Sequence, residues 1–288
     1  MTKRIFLIGH PVGHSVSPAF QQAALDHYAM DVRYEAMDVD ASSLFQAVAS
    51  LRDPDVMGAN VTVPHKEAII ALLDELMEEA CLIGAVNTIE NRSGTLVGHN
   101  TDAQGFLRAL KEGAGFDPEG KTALVLGAGG AARAVTVALA RAGVTALVIA
   151  NRTLERARAL ADVVRPLVPS VEAAALHPEF LAPAAANSRI IVNCTSLGMS
   201  GATGQEETPI WANLIPSHAL VCDLVYNPRE TPLLREAATA GAWVLEGLPM
   251  LVYQGAAAFE LWTGNEAPIR VMLEAAEKAL KSRQPVVG

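Results

Sequence analysis

The spacing of apolar residues changes several times along the chain, and the changes divide it in two. In the first hundred residues, short apolar runs alternate with helical patterns. Ile5–Ile8, Tyr34–Val39, Met57–Val63, Ala85–Ile89 and a short piece at Leu96–Val97 read as strands. Ile69, Ile70, Leu72, Leu73, Leu76, Met77 and Ala80 recur at i, i+3, i+4 and i+7, which predicts an amphipathic helix from Lys66 to about Cys81. Another helix is expected from Ala103 to about Glu112. The stretch Gly113–Gly120, with three glycines and a proline, has the composition of a junction.

Beyond it the strands become continuously apolar. Ala123–Gly127, Ala146–Ala150, Ile190–Cys194, Leu220–Leu224 and Trp243–Leu245 follow one another with helices between most of them. Uninterrupted apolar strands separated by helices indicate a parallel sheet covered on both faces. After Gly247 the pattern is helical. Leu251, Gly255, Ala258 and Trp262 share one stripe, and a second helix covers roughly Pro268 to Lys281. Pattern alone leaves open which region these last helices cover.

Composition narrows the class. At 288 residues the chain has the length of about two domains. It is 51% hydrophobic and 18% charged, which supplies apolar material for real cores. No uninterrupted apolar run reaches the ~18 residues a membrane span needs. The apolar run after Lys3-Arg4 is too short for a signal-peptide core. A net charge of −9 repels nucleic-acid backbones and anionic lipid, so neither is an expected partner. Cys81, Cys194 and Cys222 form no C-x-x-C pair. Each lies in an apolar segment, and three such thiols suggest buried free cysteines in a reducing compartment, hence a cytoplasmic protein. His10 and His14 are four apart, but Pro11 and Gly13 deny them a shared helix, and no metal site is expected.

Gly127-Ala128-Gly129-Gly130-Ala131-Ala132 fits G-x-G-x-x-A, directly after an expected strand and at the head of an expected helix, Ala131 to Ala142. In that context the glycines let the backbone approach a pyrophosphate, and the helix amino end faces it. The alternative is a tight turn whose glycines serve packing only. The end of the next strand bears on which dinucleotide binds. A carboxylate there takes the ribose 2′-hydroxyl of NAD, but this chain has Asn151-Arg152-Thr153, with Arg156 one turn on. Guanidinium groups and a hydroxyl suit a 2′-phosphate, so NADP is the expected cofactor, unless both arginines are merely solvated. The segments Thr195–Met199 and Leu224–Tyr226, together with Gly247, follow other strands of the same sheet. Any of them is placed to meet the nicotinamide half, and sequence does not rank them.

The first region carries the polar residues. Ser15 and Ser17 precede Pro18 at an expected helix start, where two hydroxyls suit a carboxylate, although Ser17 also suits a simple cap. Asn60 and Thr62 share one face of a strand end, and Lys66 then opens the predicted long helix. A cation in a first helical turn opposes the macrodipole. That position favours loss of its proton, as a general base requires, although a solvated lysine is the plainer alternative. Asp102 is either a helix cap or the partner of Lys66. Asn87 ends a buried run, and Gln254 sits on the apolar stripe of a late helix, where a buried amide needs partners. His65 and His99 flank these residues without a clear role.

At these residues the chain resembles the shikimate dehydrogenase family. The motifs occur in family order over nearly the whole length: Ser15-x-Ser17-Pro18, Asn60-Val-Thr-x-Pro-x-Lys66, Gly84-Ala-Val-Asn87-Thr88, Asn100-Thr101-Asp102, Gly127-Ala-Gly-Gly-Ala131, Asn151-Arg152-Thr153, Asn193-x-Thr195-x-x-Gly-Met199, Asp223-Leu-Val-Tyr226-Asn-Pro, and Gly247 to Gln254-Gly-Ala. Gln21-Gln22 departs from the His-Asn that members often show.

The resemblance implies an α/β fold with two parts. A substrate domain would comprise residues 1–103 and 250–288, with the C-terminal helices packed back on it. A Rossmann-type doubly wound NADP-binding domain would span 104–249. It implies reversible NADPH-dependent reduction of 3-dehydroshikimate to shikimate, a step in aromatic amino-acid synthesis, by a monomer or homodimer. Lys66 and Asp102 would be the catalytic pair. Ser15, Ser17, Thr62, Asn87, Tyr226 and Gln254 would hold substrate. Gly127 to Ala131 would cradle the pyrophosphate, with Asn151, Arg152, Thr153 and Arg156 at the 2′-phosphate. Two rivals stand beside this reading: a quinate/shikimate dehydrogenase with broader substrate or NAD use, and a non-catalytic NADPH-binding sensor.

Overall fold

A computed structural model describes residues 2–282. The chain forms two compact units. One runs to Gly105 and resumes at Val252; the other spans Phe106–Leu251.

The first unit contains β1 (Lys3–Gly9), α1 (Ser17–His27), β2 (Val32–Asp38), α2 (Leu44–Ser50), β3 (Val56–Val61), β4 (Glu75–Leu76), α3 (Glu78–Ile83), β5 (Thr88–Arg92), β6 (Thr95–His99) and the start of α4 (Asp102–Arg108). Its sheet has the order β2-β1-β3-β5-β6-β4. β2, β1 and β3 run parallel, β5 is antiparallel to β3 and to β6, and β4 is parallel to β6. This topology brings the carboxyl ends of β1, β3 and β6 and the amino end of β5 to one end of the sheet. One face is packed by Phe6, Ile8, Leu44, Val48, Leu51, Ile69, Val86 and Ile89.

The predicted helix from Lys66 to Cys81 does not form. Ala68–Leu72 is a single 3-10 turn, Leu73 is extended (φ −97°, ψ 154°), and β4 and α3 follow. The apolar residues that suggested a helix still pack on the core, as Ile70, Leu72, Leu73 and Leu76 do. Asp74 breaks the helix. Its N–H donates to the Leu96 carbonyl at 3.0 Å, and its carboxylate accepts the Leu96 N–H at 2.7 Å and both Arg52 amino groups. Pairing with β6 thus outweighs helical periodicity. The expected strand Ala85–Ile89 begins only at Thr88, because Gly84 turns left-handed (φ 68°) to end α3. Cys81 is exposed, contrary to the buried reading, since a short α3 leaves it facing outward; Cys222 is buried.

The second unit contains the rest of α4, a wider π turn over Ala109–Gly113, β7 (Thr122–Leu126), α5 (Gly130–Arg141), β8 (Ala146–Asn151), α6 (Leu154–Val164), β9 (Ser170–Ala175), α7 (Pro178–Ala186), β10 (Ile190–Asn193), β11 (Leu220–Asp223), α8 (Pro232–Thr239) and β12 (Trp243–Leu245). All six strands are parallel, in the order β12-β11-β10-β7-β8-β9. That is the doubly wound dinucleotide-binding order, whose direction reverses between β7 and β10. Leu124, Leu126, Leu181, Ile191, Ile210 and Leu233 fill one face. β9 had no sequence signal. It is an edge strand of Ser, Glu and three alanines around a single buried valine, Val171, so strand-forming bulk is sparse.

α9 (Gly247–Thr263) and α10 (Ile269–Lys281) close the chain. α10 packs against α1, Tyr28 stacks on Phe259, and Trp262 Nε1 donates to the Ile89 carbonyl at 2.9 Å, so these helices pack on the first unit. Among the described residues, no helix is long and apolar enough to cross a membrane.

Candidate active site

The ends of β1, β3, β5 and β6 collect a polar cluster in the first unit. Its centre is Lys66, whose Nζ donates to Asp102 Oδ2 at 2.5 Å; the two side chains are 15% and 4% exposed. Asp102 is the first residue of α4, but its carboxylate turns to Lys66 and, through Oδ1, to Asn87 Nδ2 at 2.9 Å. It is therefore a side-chain partner and not the helix cap of the plainer alternative. Lys66 lies two residues before a 3-10 turn. The helix-dipole argument for its reactivity is thereby removed, and what the structure shows instead is an ammonium held in place by the Asp102 carboxylate.

Asn87 is held from several sides. Its Nδ2 has three acceptors in reach: Asp102, Thr101 Oγ1 at 2.9 Å and Gln254 Oε1 at 3.1 Å. Its Oδ1 accepts the Thr101 N–H at 2.7 Å and the Thr88 hydroxyl at 3.1 Å. Thr88 in turn accepts from Asn60 Nδ2, and Asn60 Oδ1 accepts the buried Tyr34 hydroxyl at 2.8 Å. Satisfied buried networks of this kind fix side-chain orientation. The structure brings together the predicted catalytic pair, Lys66 and Asp102, with Asn87 and Gln254 of the predicted substrate residues.

Ser15, Ser17 and Thr62 belong to neighbouring loops at the same sheet end. Ser17 is buried and opens α1 without capping it; its N–H donates to Ser15 Oγ at 3.2 Å. Val16 between them is helical (φ −89°, ψ −2°), so the two serines do not lie in an extended segment. The Thr62 N–H pairs with the Ile8 carbonyl, beside the loop that carries the serines. His65 lies against the Val39 carbonyl at 2.6 Å, and His99 against Glu90 at 3.2 Å. Burial holds the His99 imidazole below its usual range, against the pull of Glu90. Neither histidine hydrogen-bonds to Lys66 or Asp102.

In the second unit the loop after β7 has the shape its glycines predict. Gly127 takes φ +116°, closed to other residues, and a Cβ there would stand 3.1 Å from the Cys194 backbone. A Cβ on Gly129 would meet nothing within 4 Å, so open space faces this backbone. Gly129 is the N-cap of α5, which has neither a side-chain cap nor an acidic residue in its first turn. Its first amides are left for an anion. At the end of β8, Asn151 Nδ2 donates to the Thr153 carbonyl, while Arg152, Thr153 and Arg156 are exposed. Leu224 and Tyr226 follow β11, half-buried, and Gly247 opens α9. Loop, helix start and cations together fit a dinucleotide carrying an extra phosphate.

Family models match all three stretches: the shikimate dehydrogenase substrate binding domain at residues 7–89, shikimate/quinate 5-dehydrogenase at 110–206, and the shikimate 5′-dehydrogenase C-terminal domain at 247–277. An NADP(+) shikimate dehydrogenase of Methanopyrus kandleri is 46% identical over 282 residues, 97% of each chain. One of Symbiobacterium thermophilum is 48% identical over 280 residues, covering 96% of this chain and 94% of its own. The chain belongs to the shikimate dehydrogenase family. A solved member, shikimate 5-dehydrogenase of Thermus thermophilus in complex with NADP(H) and shikimate, superposes with a TM-score of 0.86 at 43% identity, over 96% of this chain and 100% of its own. The fold is thus that of the family's N-terminal substrate domain and Rossmann NADP domain.

Several residues that hold this polar cluster had no role assigned to them from sequence. Thr88 and Thr101 fix the Asn87 amide, and Tyr34 holds Asn60, which in turn donates to Thr88. Gln21 on α1, noted in the sequence only as a departure from the family pattern, is buried and donates to the Gly255 carbonyl at 2.9 Å, next to Gln254. Gly105 lets α4 press on α9: a Cβ there would lie 2.6 Å from the Gln254 nitrogen. A glycine inside the predicted 103–112 helix is the one readable signal among these.

Proposed function

We propose that this chain catalyses the reversible NADPH-dependent reduction of 3-dehydroshikimate to shikimate, in aromatic amino-acid and chorismate biosynthesis. The observation that carries the reading is the buried Lys66–Asp102 pair tied to Asn87 and Gln254, in a family member whose β8 ends at Asn151 and runs on into Arg152-Thr153. NADPH would supply the hydride in reduction, and NADP+ would take it in oxidation. Lys66 Nζ gives its proton to the forming hydroxyl in reduction and accepts it back in oxidation. Asp102 orients the ammonium through Oδ2, while its other oxygen is fixed by Asn87. A proton donor held in one geometry lowers the entropic part of the barrier.

Ser15, Ser17 and Thr62 are assigned to the substrate's carboxylate and a ring hydroxyl, with Asn87, Tyr226 and Gln254 at the remaining hydroxyls. Gly127, Ala128, Gly129, Gly130 and Ala131 are assigned to the pyrophosphate. Asn151, Arg152, Thr153 and Arg156 are assigned to the 2′-phosphate, and Leu224 and Gly247 to the nicotinamide side. Free thiols at Cys81, Cys194 and Cys222 suit a reducing compartment, and we assign the reaction to the cytoplasm, performed by a monomer or homodimer. Initial rates with shikimate and quinate, each with NADP and NAD, test the reading. Shikimate with NADP should be the fastest pair by a wide margin. Equal rates with quinate or with NAD would replace it with a quinate/shikimate dehydrogenase.

A further inference from the structure

One buried carboxylate has no part in the roles above. Asp223 ends β11 and is 1% exposed. Its Oδ1 accepts Asn193 Nδ2 at 2.9 Å and the Val225 N–H at 3.0 Å; its Oδ2 accepts the Thr231 hydroxyl at 2.6 Å. Each partner belongs to a different piece of chain. Asn193 ends β10, and its Oδ1 accepts both the N–H and the hydroxyl of Thr195, whose Oγ1 then accepts the Leu197 N–H. Thr231 caps α8 by accepting the Leu234 N–H at 3.2 Å. One side chain thus joins the loop after β10, the loop after β11 and the start of α8.

This junction lies at the carboxyl ends of the strands on the far side of the β7/β10 reversal from β8. In a doubly wound sheet, one half of a dinucleotide lies over the first three strands and the other half over the second three. The Gly127 loop and Arg152 belong to the first three, and Asp223 belongs to the second. A Cβ on Gly247 would stand 2.6 Å from the Leu224 carbonyl and 2.8 Å from that of Asp223, so α9 begins in contact with backbone that Asp223 shapes. Burial pushes the Asp223 carboxyl up to about 6, against the pull of its three hydrogen bonds. An ionisable group kept at such a cost is a departure from local rules of the kind that marks functional positions.

We propose that Asp223 is a positioning residue for the nicotinamide half of the cofactor, acting by fixing the loops after β10 and β11 and the Leu224 backbone beneath Gly247. The proposal rests on the reading that Leu224 and Gly247 serve the nicotinamide side. Its test separates the two halves of the ligand. NADPH and adenosine 2′,5′-bisphosphate, which lacks the nicotinamide half, are titrated calorimetrically into the full chain, its Asp223→Ala variant and its Asp223→Asn variant.

The alanine variant should bind NADPH on the order of 10-fold more weakly while holding the bisphosphate within about twofold of the parent. Asparagine keeps an oxygen for Asn193 and Val225 and should recover most of the loss. Unchanged NADPH affinity in the alanine variant, or equal losses for both ligands, would overturn the proposal. If that variant does not fold, Asn193→Ala cuts the link between the two loops and is judged by the same criteria. A parent chain that binds neither ligand would instead defeat the assigned function, so the two failures are distinguishable.

Discussion

The two units prepare their ligand sites in opposite ways. In the first, the groups we assign to the reaction are side chains already bonded to one another: Lys66 to Asp102, Asp102 to Asn87, Asn87 to Gln254, with Thr88, Thr101 and Asn60 behind them. In the second, the cradle is backbone around open space at Gly129, and the arginines beside it are exposed. The difference follows from what each site has to do. Proton transfer requires a group held in one place before substrate arrives, whereas a pyrophosphate needs only converging N–H groups and a later clamp of charge. Loss of the proton-transferring group in the first site should therefore be severe, and loss of any one contact in the second should be mild and local.

The sharpest test of that contrast is Lys66→Ala. It removes the proposed proton donor but leaves Asn87, Gln254 and the serines, the residues we assign to the ring. Steady-state rates should show kcat lower by on the order of 10²–10⁴-fold with the shikimate KM little changed. Near-normal turnover would show that the Lys66–Asp102 pair is structural. The cofactor site has no residue whose loss should be comparably severe.

Asp223 is where the contrast breaks down, because it is a preorganised carboxylate inside the cofactor unit. Its proton is held more tightly in the folded state, up to about 6, than in the unfolded chain, whose reference value is 3.8. The folded state therefore binds the extra proton between these values, and this contribution to stability is present at low pH and lost as pH rises through about 6. Asp223→Asn removes the titration. Its unfolding free energy relative to the parent should climb between pH 4 and 6 by up to about 3 kcal/mol. Parallel denaturation curves across that range would mean that Asp223 titrates alike in both states.

On the second site the expected behaviour is local. Arg152 is exposed, so Arg152→Ala should leave the melting temperature unchanged. It should raise the NADPH Kd by roughly 10–100-fold, the range for a lost charged hydrogen bond, with NADH binding unaffected. Equal losses for both cofactors would move the 2′-phosphate contact elsewhere, with Arg156 the next candidate.

What the sequence made legible divides along the same line. The cofactor unit was readable because its features are local: a glycine loop between strand and helix, arginines at a strand end, continuous apolar strands in order. Only β9 escaped, lacking both alternation and bulk. The substrate unit was readable in its polar residues and misread in its connections. Periodicity suggested a helix where Asp74 captures the edge of β6. Lys66 was singled out for a helix dipole that is absent, and its actual partner, Asp102, comes from 36 residues away. Contacts such as Tyr34 to Asn60 or Gln21 to Gly255 join distant segments and leave no local pattern. The motif order, not the periodicity, carried the identification of this half.

The mildest prediction concerns the one long-range contact that did leave a mark. Gly105 lies where α4 meets α9, and an added methyl would face the Gln254 nitrogen at 2.6 Å, its Cβ at 2.7 Å and its Cα at 2.8 Å. Two of these atoms are backbone, so the helices must separate. Overpacking of this kind costs about 1–3 kcal/mol. The displaced residue is Gln254, whose Oε1 accepts from Asn87 at 3.1 Å. Gly105→Ala should therefore lower the melting temperature and also raise the shikimate KM several-fold, about 10-fold if 1.4 kcal/mol of the strain reaches the site. NADPH affinity, resting on the other unit's backbone, should not move. If stability falls while the shikimate KM stays constant, Gln254 is not a substrate ligand, and the network behind Lys66 ends at Asn87.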